Sequence, residues 1–504
     1  ERHGLDRADL LGLTSMFNQN VPSFALARKL KGRNPELIIA MGGANCESPM
    51  GEEIARNIEA IDYVFSGPAL KSFPELVAAC LDGERSRVAT LNGVFTRASL
   101  AQPARAPLGD ELDINTEIPL DYRSFLDAFE RAFAGEIINP VLLFETSRGC
   151  WWGQRAHCTF CGLNGSTMAY RAMTAERAIA LIESLFAYFP RVRQLSCVDN
   201  ILPQNYPREV FAHLQRPAGV SVFYEVKADL TEEEVFLLSA AGVDSVQPGI
   251  EALASSTLKL MRKGMTAAGN IVFLKHCLSH DVHPAWNLLA GFPGETKEVY
   301  ARYLLDLPRL VHLPPPSGVH PVRFDRFSPY FTEARRYGLD LAPLDFYAKT
   351  YPFAPESLEN LAYYFADRNV AAPYALDLAR WIGKLRPAVA AWRRPWLAGA
   401  PPILRFELPG ATTVVDTRSG SRQVHEVGGA GREILAALAE PLSLSELAAE
   451  LERPAEELAT EVAALDAQAL LFEDRRRWVS LVLPGETYPE RILGRYAKLE
   501  AVPA

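Results

Sequence analysis

The sequence predicts an α/β protein of about three domains, and three observations lead there. Short apolar runs alternate with amphipathic helical stretches over residues 1–85 and again over 139–340, a stretch of weak periodicity separates the two regions, and from residue 401 short strands are followed by short helices. Strands of a parallel sheet read as unbroken apolar runs because helices cover both faces. A chain of 504 residues with 48% hydrophobic and 22% charged residues has the composition of a folded globular protein and exceeds what one core usually supports. No run approaches the roughly 18 apolar residues of a membrane span, and the opening ERHGLDRADLLGL lacks the layout of a signal peptide, so a cytoplasmic location is expected. The net charge of −9 gives no electrostatic footprint for nucleic acid, which leaves small molecules or a peptide as partners.

Residues 1–85 give strands at 9–15, 36–43 and 61–67, each followed by a helical stretch: VPSFALARKLKG, GEEIARNIEA and SFPELVAACLDG. The strands end in small or polar residues, Thr14 and Ser15, then Gly42, Gly43 and Asn45, then Ser66 and Gly67. In open α/β sheets ligands lie beyond such strand ends, although glycines there also serve plain turns. Three strands, against about five in a doubly wound domain, make this a Rossmann-like domain that is incomplete at its start or unusually small. Residues 86–138 read as a linker. Over 139–340 six strand–helix units, from PVLLFETS to HPVRFDRFSPY, fit a partly closed (β/α)6 barrel with functional loops at the carboxyl ends of its strands. Residues 341–400 read as a helical connector. Residues 401–504 give three short strands, three helices and a terminal hairpin, the order of a winged helix-turn-helix. Glu446, Glu450, Glu452, Glu456, Glu457 and Glu461 on those helices disfavour DNA and leave a peptide ligand open.

Seven cysteines in a chain of this kind do not make a disulfide framework. Cys80 and Cys277 read as small core residues, Cys197 ends a strand, and Cys46 lies in a glycine-rich loop beside a possible cofactor. Cys150, Cys158 and Cys161, in RGCWWGQRAHCTFCGLNG, are different: three thiols from one loop after the first barrel strand can hold a metal centre. Structural zinc, using Cys158 and Cys161 with His157 or Cys150, requires four ligands and usually a second well-spaced pair, which the sequence does not offer. Three cysteines with a vacant fourth position suit a [4Fe–4S] cluster with one iron open to substrate.

On these residues the sequence resembles the radical S-adenosylmethionine (SAM) enzymes, with Phe160 directly before the last cysteine as in that superfamily. Seven residues, Trp151 to His157, stand between the first two cysteines, where most members have three, and this spacing resembles the subgroup that matures ribosomally made peptides. The stretch YEVKADLTEEEVFLLSAAGVDSVQPGIEALASSTLKLMRKG is similar to the middle of the cobalamin-dependent members. The resemblance implies that Glu225, Lys227, Gln247 and Glu251 face SAM, that Asn287 and Gly291 of NLLAGFPGET lie along the adenine, and that Gly162, Asn164 and Gly165 stand where the family uses a glycine-rich turn. Cap or surface roles are the plainer readings of the carboxylates. The N-terminal loops TSMFNQN, MGGAN and VFSG resemble a cobalamin-binding domain. The Asp-x-His-x-x-Gly motif is absent, so the corrinoid would lack a protein histidine below the cobalt, with Asn18 or Gln19 near it. The C-terminal module looks like the leader-recognition (RRE/PqqD-like) domains of peptide-modifying systems.

The resemblance therefore implies a cobalamin-dependent radical SAM C-methyltransferase with a [4Fe–4S] cluster, SAM and cobalamin as cofactors. Its substrate would be a precursor peptide, and its electron donor a flavodoxin or ferredoxin. One SAM would methylate the cobalt, and a second would give the 5′-deoxyadenosyl radical that opens an unactivated sp3 carbon to methylation. Trp151, Trp152 and His157 would line the cavity or pack beneath it, and Tyr330 of FDRFSPYF is a candidate on the substrate side. Two alternatives stand beside this reading: a cobalamin-binding peptide maturase that cyclises or rearranges without methyl transfer, and a metal- or corrinoid-sensing transcription regulator.

Overall fold

The computed structural model describes residues 4–101, 106–136, 138–165, 168–485 and 490–500. The chain folds into two compact units, residues 1–117 with 323–368, and residues 118–322 with 369–504.

In the first unit the strands Leu10–Thr14, Ile38–Gly42 and Tyr63–Phe65 pair in parallel and in sequence order, and Val94–Phe95 adds an antiparallel edge. All three predicted strands form, because Ile38, Ile39, Ala40 and Met41 are buried between helices on both faces. Phe24 and Ala27 of the helix Asn20–Lys31 pack in one core with Ile39 and Met41. That core also takes in Tyr351, Phe353 and Leu361 from a distant part of the sequence.

This placement corrects the boundary drawn at 340. Residues 341–368 are not a connector: Leu341–Pro343 and Phe324–Asp325 flank Tyr364–Asp367 in an antiparallel sheet of the first unit. Arg326 fixes it by donating from Nε to the Ala362 carbonyl at 2.6 Å while its guanidinium lies over the Phe331 and Phe365 rings. Residues 86–138 are not a plain linker either, since they contribute the Val94–Phe95 edge strand and the helix Arg123–Ala132. Their weak periodicity reflects short elements that bury few side chains each; Leu126 is the buried residue of that helix.

The second unit is built on a five-stranded parallel sheet, in the order His283–Pro284, Val243–Pro248, Ser221–Val226, Gln194–Cys197, Val141–Phe144. Leu288–Ala290 pairs in parallel with Val319–Pro321, and the Leu289 N–H donates to the Glu251 carbonyl at 2.8 Å, carrying the curvature onward. The predicted fifth strand, in AWNLLAGFPGE, is confined to Leu288–Ala290 with His283–Pro284 a separate strand before it, and the sixth stops at Pro321 instead of running through FDRFSPYF. Within Ser221–Val226 burial alternates: Val222, Tyr224 and Val226 lie in the core, so Ser221, Phe223 and Glu225 share the opposite face. Helices Ala175–Phe186, Glu232–Ala240, Ala267–Ser279 and Lys297–Leu310 alternate with the strands.

The 25-residue helix Pro373–Leu397 packs into this unit through fully buried Trp392 and Trp396, whose indole N–H groups donate to the Leu313 and Val311 carbonyls. Beyond it come three antiparallel strands (Leu404–Phe406, Thr413–Asp416, Gln423–Glu426), helices Gly428–Ala437, Leu444–Glu450 and Ala455–Ala467, and the hairpin Leu471–Asp474/Arg477–Ser480. The sequence anticipates each of these elements but not their attachment. They share one continuous core with the barrel. Polar ties reinforce it: buried Lys275 donates to the Ser480 carbonyl at 2.6 Å, His312 Nε2 meets the Leu481 carbonyl at 2.9 Å, and Arg309 pairs with Asp466 at 2.6 Å.

Candidate functional site

The site is built on the loop that leaves the first barrel strand, Val141–Phe144. Gly149 has φ 78°, and a Cβ there would lie 2.3 Å from the Ala169 carbonyl oxygen, so only glycine permits this close crossing. Cys150 then caps a short helix, Trp151–Ala156, its Sγ accepting from the Gly153 N–H at 3.2 Å. That helix accounts for the long first spacing: its tryptophans reach sideways and donate from Nε1 to backbone carbonyls, Trp151 to Leu202 at 3.1 Å and Trp152 to Arg262 at 3.0 Å. The two tryptophans are therefore anchors. After the helix His157 Nε2 meets the Cys161 carbonyl at 2.9 Å, while Thr159 donates through its N–H to Met261 and through its hydroxyl to Leu260, each at 3.1 Å. A segment of thirteen sequence positions is thus clamped at both ends and in the middle.

The three thiols lie near one another with a cation beside them. Burial, and then the neighbouring thiolates, push Cys161 up to about 12, and burial raises Cys158 against the opposing pull of Lys263. Such thiols stay protonated on their own; a bound metal centre would supply the positive charge that burial withholds. Among the described residues no group of three or more His, Cys, Asp or Glu side chains is arranged to hold a single metal ion. As a zinc ligand through Nε2, His157 would have to give up its bond to the Cys161 carbonyl. A donor set of three thiols fits a cluster, whose irons accept one thiolate each.

Lys263 is the residue that sequence reasoning passed over. Its side chain is 13% exposed, it pairs with Glu251 at 3.3 Å, and it lies over the Phe160 ring. Burial works against its charge, yet Glu251, Cys158 and Cys161 overcome this and hold the ammonium above the usual lysine range. Nothing in MRKGMT separates Lys263 from a surface lysine; only its approach to the cysteine loop does. Glu225, cross-strand neighbour of Gln247, is raised to about 7 by burial and then by Glu251, with Lys263 opposing. Lys227 pairs with Asp229 at 2.6 Å and lies over the Trp152 ring.

Glu225 yields a pH prediction. With a folded-state pKa of about 7 against an ordinary 4.5, the folded protein holds the proton more tightly, so stability from this group is present in acid and lost as pH rises through about 7. Glu225→Gln is expected to flatten the fall in urea-unfolding free energy between pH 5 and 8 by roughly 2 kcal/mol. An unchanged slope in the variant would show that Glu225 titrates normally.

The remaining predicted residues divide between the two units. Gly162, Asn164 and Gly165 follow Cys161 directly, with Asn164 at φ 71° and accepting from the Asn200 amide at 2.6 Å. Gln247 and Asn287 are exposed at strand ends. Gly291 is a turn: its N–H donates to the buried Glu295 carboxylate at 2.7 Å, and a Cβ would meet Leu378 at 2.5 Å. Phe292 beside it packs edge-on against Phe160. Tyr330 belongs to the other unit. It is buried in the first unit between Phe324 and Tyr337, because the chain leaves the barrel at Pro321.

The first unit has its own cluster at the strand ends. The Asn45 amide donates to the Ser15 hydroxyl at 3.0 Å, and the same hydroxyl donates to Asn20 at 2.6 Å. Gly43 has φ 98°, and a Cβ there would lie 2.5 Å from the Ser15 carbonyl oxygen. The Ser66 hydroxyl accepts from the Ser48 N–H at 2.9 Å, and Gly67, φ 73°, passes close to Leu108. Thr14, Asn18 and Gln19 stand exposed beside these loops. Gly42 continues the sheet into them, and the buried Asn20, at their centre, was not anticipated.

Residues 144–306 match the Radical SAM superfamily. An uncharacterized methyltransferase of Pyrococcus horikoshii is 24% identical over 296 residues, which span 58% of this chain and 62% of that protein. Among solved structures, the cobalamin-dependent SAM radical enzyme OxsB, with aqua-cobalamin and SAM bound, aligns with a TM-score of 0.55 at 16% identity, over 75% of this chain and 58% of that one. The radical SAM methyltransferase TsrM from Kitasatospora setae aligns with cobalamin and a [4Fe–4S] cluster bound (TM-score 0.54, 17% identity, 76% of this chain and 81% of that one). It also aligns with tryptophan and a SAM analogue bound (TM-score 0.55, 16% identity, 78% and 79%). At these identities the structures establish a common fold. The chain thus carries a radical SAM domain within an α/β fold that resembles the cobalamin-dependent radical SAM enzymes.

Proposed function

We propose that this protein is a cobalamin-dependent radical SAM enzyme that methylates an unactivated sp3 carbon of a ribosomally made precursor peptide. The observation that carries this reading is the three-cysteine loop after the first barrel strand, with Lys263, Glu251 and Glu225 around it. Cys150, Cys158 and Cys161 would hold a [4Fe–4S] cluster. SAM would lie against the carboxylates and the Lys263 ammonium, whose opposite charges match its amine and carboxylate. The loops at Ser15, Gly43 and Asn45 would hold cobalamin. When bound, these cofactors supply the electron transfer and the methyl group. The chain's own residues do the rest: Trp151 and Trp152 fix the loop, Lys263 balances the thiolates, and the barrel wall keeps water from the reacting atoms. The elements from 404 to 480 follow the order of a winged helix, and we read them as the part that recognises the peptide leader. A flavodoxin or ferredoxin would supply electrons.

Anaerobic reconstitution with iron, sulfide, SAM, cobalamin, reductant and a precursor peptide encoded beside this protein tests the reading. The expected products, by mass spectrometry, are 5′-deoxyadenosine and S-adenosylhomocysteine together, both dependent on peptide, with the latter strictly dependent on cobalamin. Deoxyadenosine without S-adenosylhomocysteine would overturn methyl transfer in favour of cyclisation or rearrangement.

A further inference from the structure

The barrel has a cavity at the end opposite the cysteine loop. It has a volume of about 520 Å³, within the usual range of ligand sites, and is lined where the strands begin, by Asn139, Gln194, Ser221, Asp244 and His283. The same strands that carry Glu225 and Gln247 at one end carry Ser221 and Asp244 at the other, so a ligand here would lie outside the site described above. The helix Glu490–Glu500 closes this end and adds Arg491 and Arg495, and Arg193 completes the lining.

The charges do not cancel. Arg495 pairs with Asp244 and donates to the Ser221 hydroxyl at 2.7 Å, and Arg491 pairs with Asp281 at 3.3 Å. Arg193 stacks over the Phe189 ring, 5.5 Å from its centroid, and its guanidinium meets no carboxylate among the described residues. His283 is 8% exposed, and neither of its ring nitrogens has a hydrogen-bond partner. An uncompensated guanidinium in this lining, beside the Arg495 fork, is what a bound anion would complete.

We propose that this cavity binds a small multivalent anion, phosphate- or carboxylate-bearing, through Arg193 and Arg495. The guanidinium fork matches both groups, so the test has two arms: inorganic pyrophosphate and citrate, each titrated into the full chain and read by thermal shift and calorimetry against sodium chloride of equal ionic strength. A saturable shift with either anion is expected, and the more effective one identifies the group recognised. Arg193→Ala, which removes an exposed side chain and no ion pair, is expected to weaken binding about tenfold or more, the cost of one charge-assisted contact. Arg495→Lys, which keeps the charge beside Asp244 but not the fork, is expected to weaken it as well. No shift beyond the chloride control, or a shift that Arg193→Ala leaves intact, would overturn the proposal.

Discussion

Cys158→Ala is expected to abolish iron–sulfur assembly while leaving the fold in place. The loop around Cys158 is held by other groups: Thr159 bonds to Met261 and Leu260, Trp152 to Arg262, and His157 to the Cys161 carbonyl. Removing one thiol therefore costs little packing, so circular dichroism and the melting temperature should hardly change. Iron and sulfide content and visible charge-transfer absorbance should collapse. Product formation should fall by more than the roughly 10–100-fold that loss of a mere supporting contact to a metal ligand costs. Cys150→Ala should lose the cluster too and also uncap the helix at Trp151, since Cys150 Sγ accepts from the Gly153 N–H. A Cys158→Ala protein that bound iron and sulfide like the parent would remove the metal centre from this loop altogether.

Gly264→Ala is expected to damage the same site from a residue that carries no functional group. Gly264 has φ 68°, a backbone conformation that side chains resist, and an added Cβ would lie 2.1 Å from the Trp152 ring. Trp152 cannot simply turn away, because its indole N–H donates to the Arg262 carbonyl and Lys227 lies 4.8 Å from its ring centroid. Overpacking and the positive φ together should cost about 2–4 kcal/mol in equilibrium unfolding. The displacement of Trp152 should also disturb the helix that spaces Cys150 from Cys158. Cluster content in the folded fraction is therefore expected to fall alongside stability. Full stability with normal cluster content would show that the tryptophan is not the fixed anchor described here.

Much of the fold was legible because burial leaves a local trace. The parallel strands at 10–14, 38–42 and 63–65, and those of the barrel, are short apolar runs set between amphipathic helices, and that pattern is a property of neighbouring residues. The cysteine cluster was legible for the same reason, its three thiols being close in sequence. Lys263, Asn20 and Glu295 were not. Each is an ordinary polar residue in its own segment, and each acquires its role by approaching a different one: Lys263 the cysteine loop, Asn20 the Asn45 side chain, Glu295 the Thr257 hydroxyl.

Sequence alone determined the strands that are apolar runs, the amphipathic helices between them and the three-thiol loop, since periodicity and spacing are local and the capacity to bind metal belongs to residue type. Tertiary structure alone decided how the segments are shared out. It moved residues 341–368, and Tyr330 before them, into the unit of the N-terminal sheet, and it fused the C-terminal strands and helices onto the barrel through one core. It also gave the seven-residue gap a purpose, by turning Trp151 and Trp152 toward carbonyls fifty-one and one hundred and ten positions away. The physical reason is the same in each case. A hydrophobic surface or an unsatisfied hydrogen-bonding group states in the sequence that it needs a partner, but which distant residue meets that need is settled only when the chain packs.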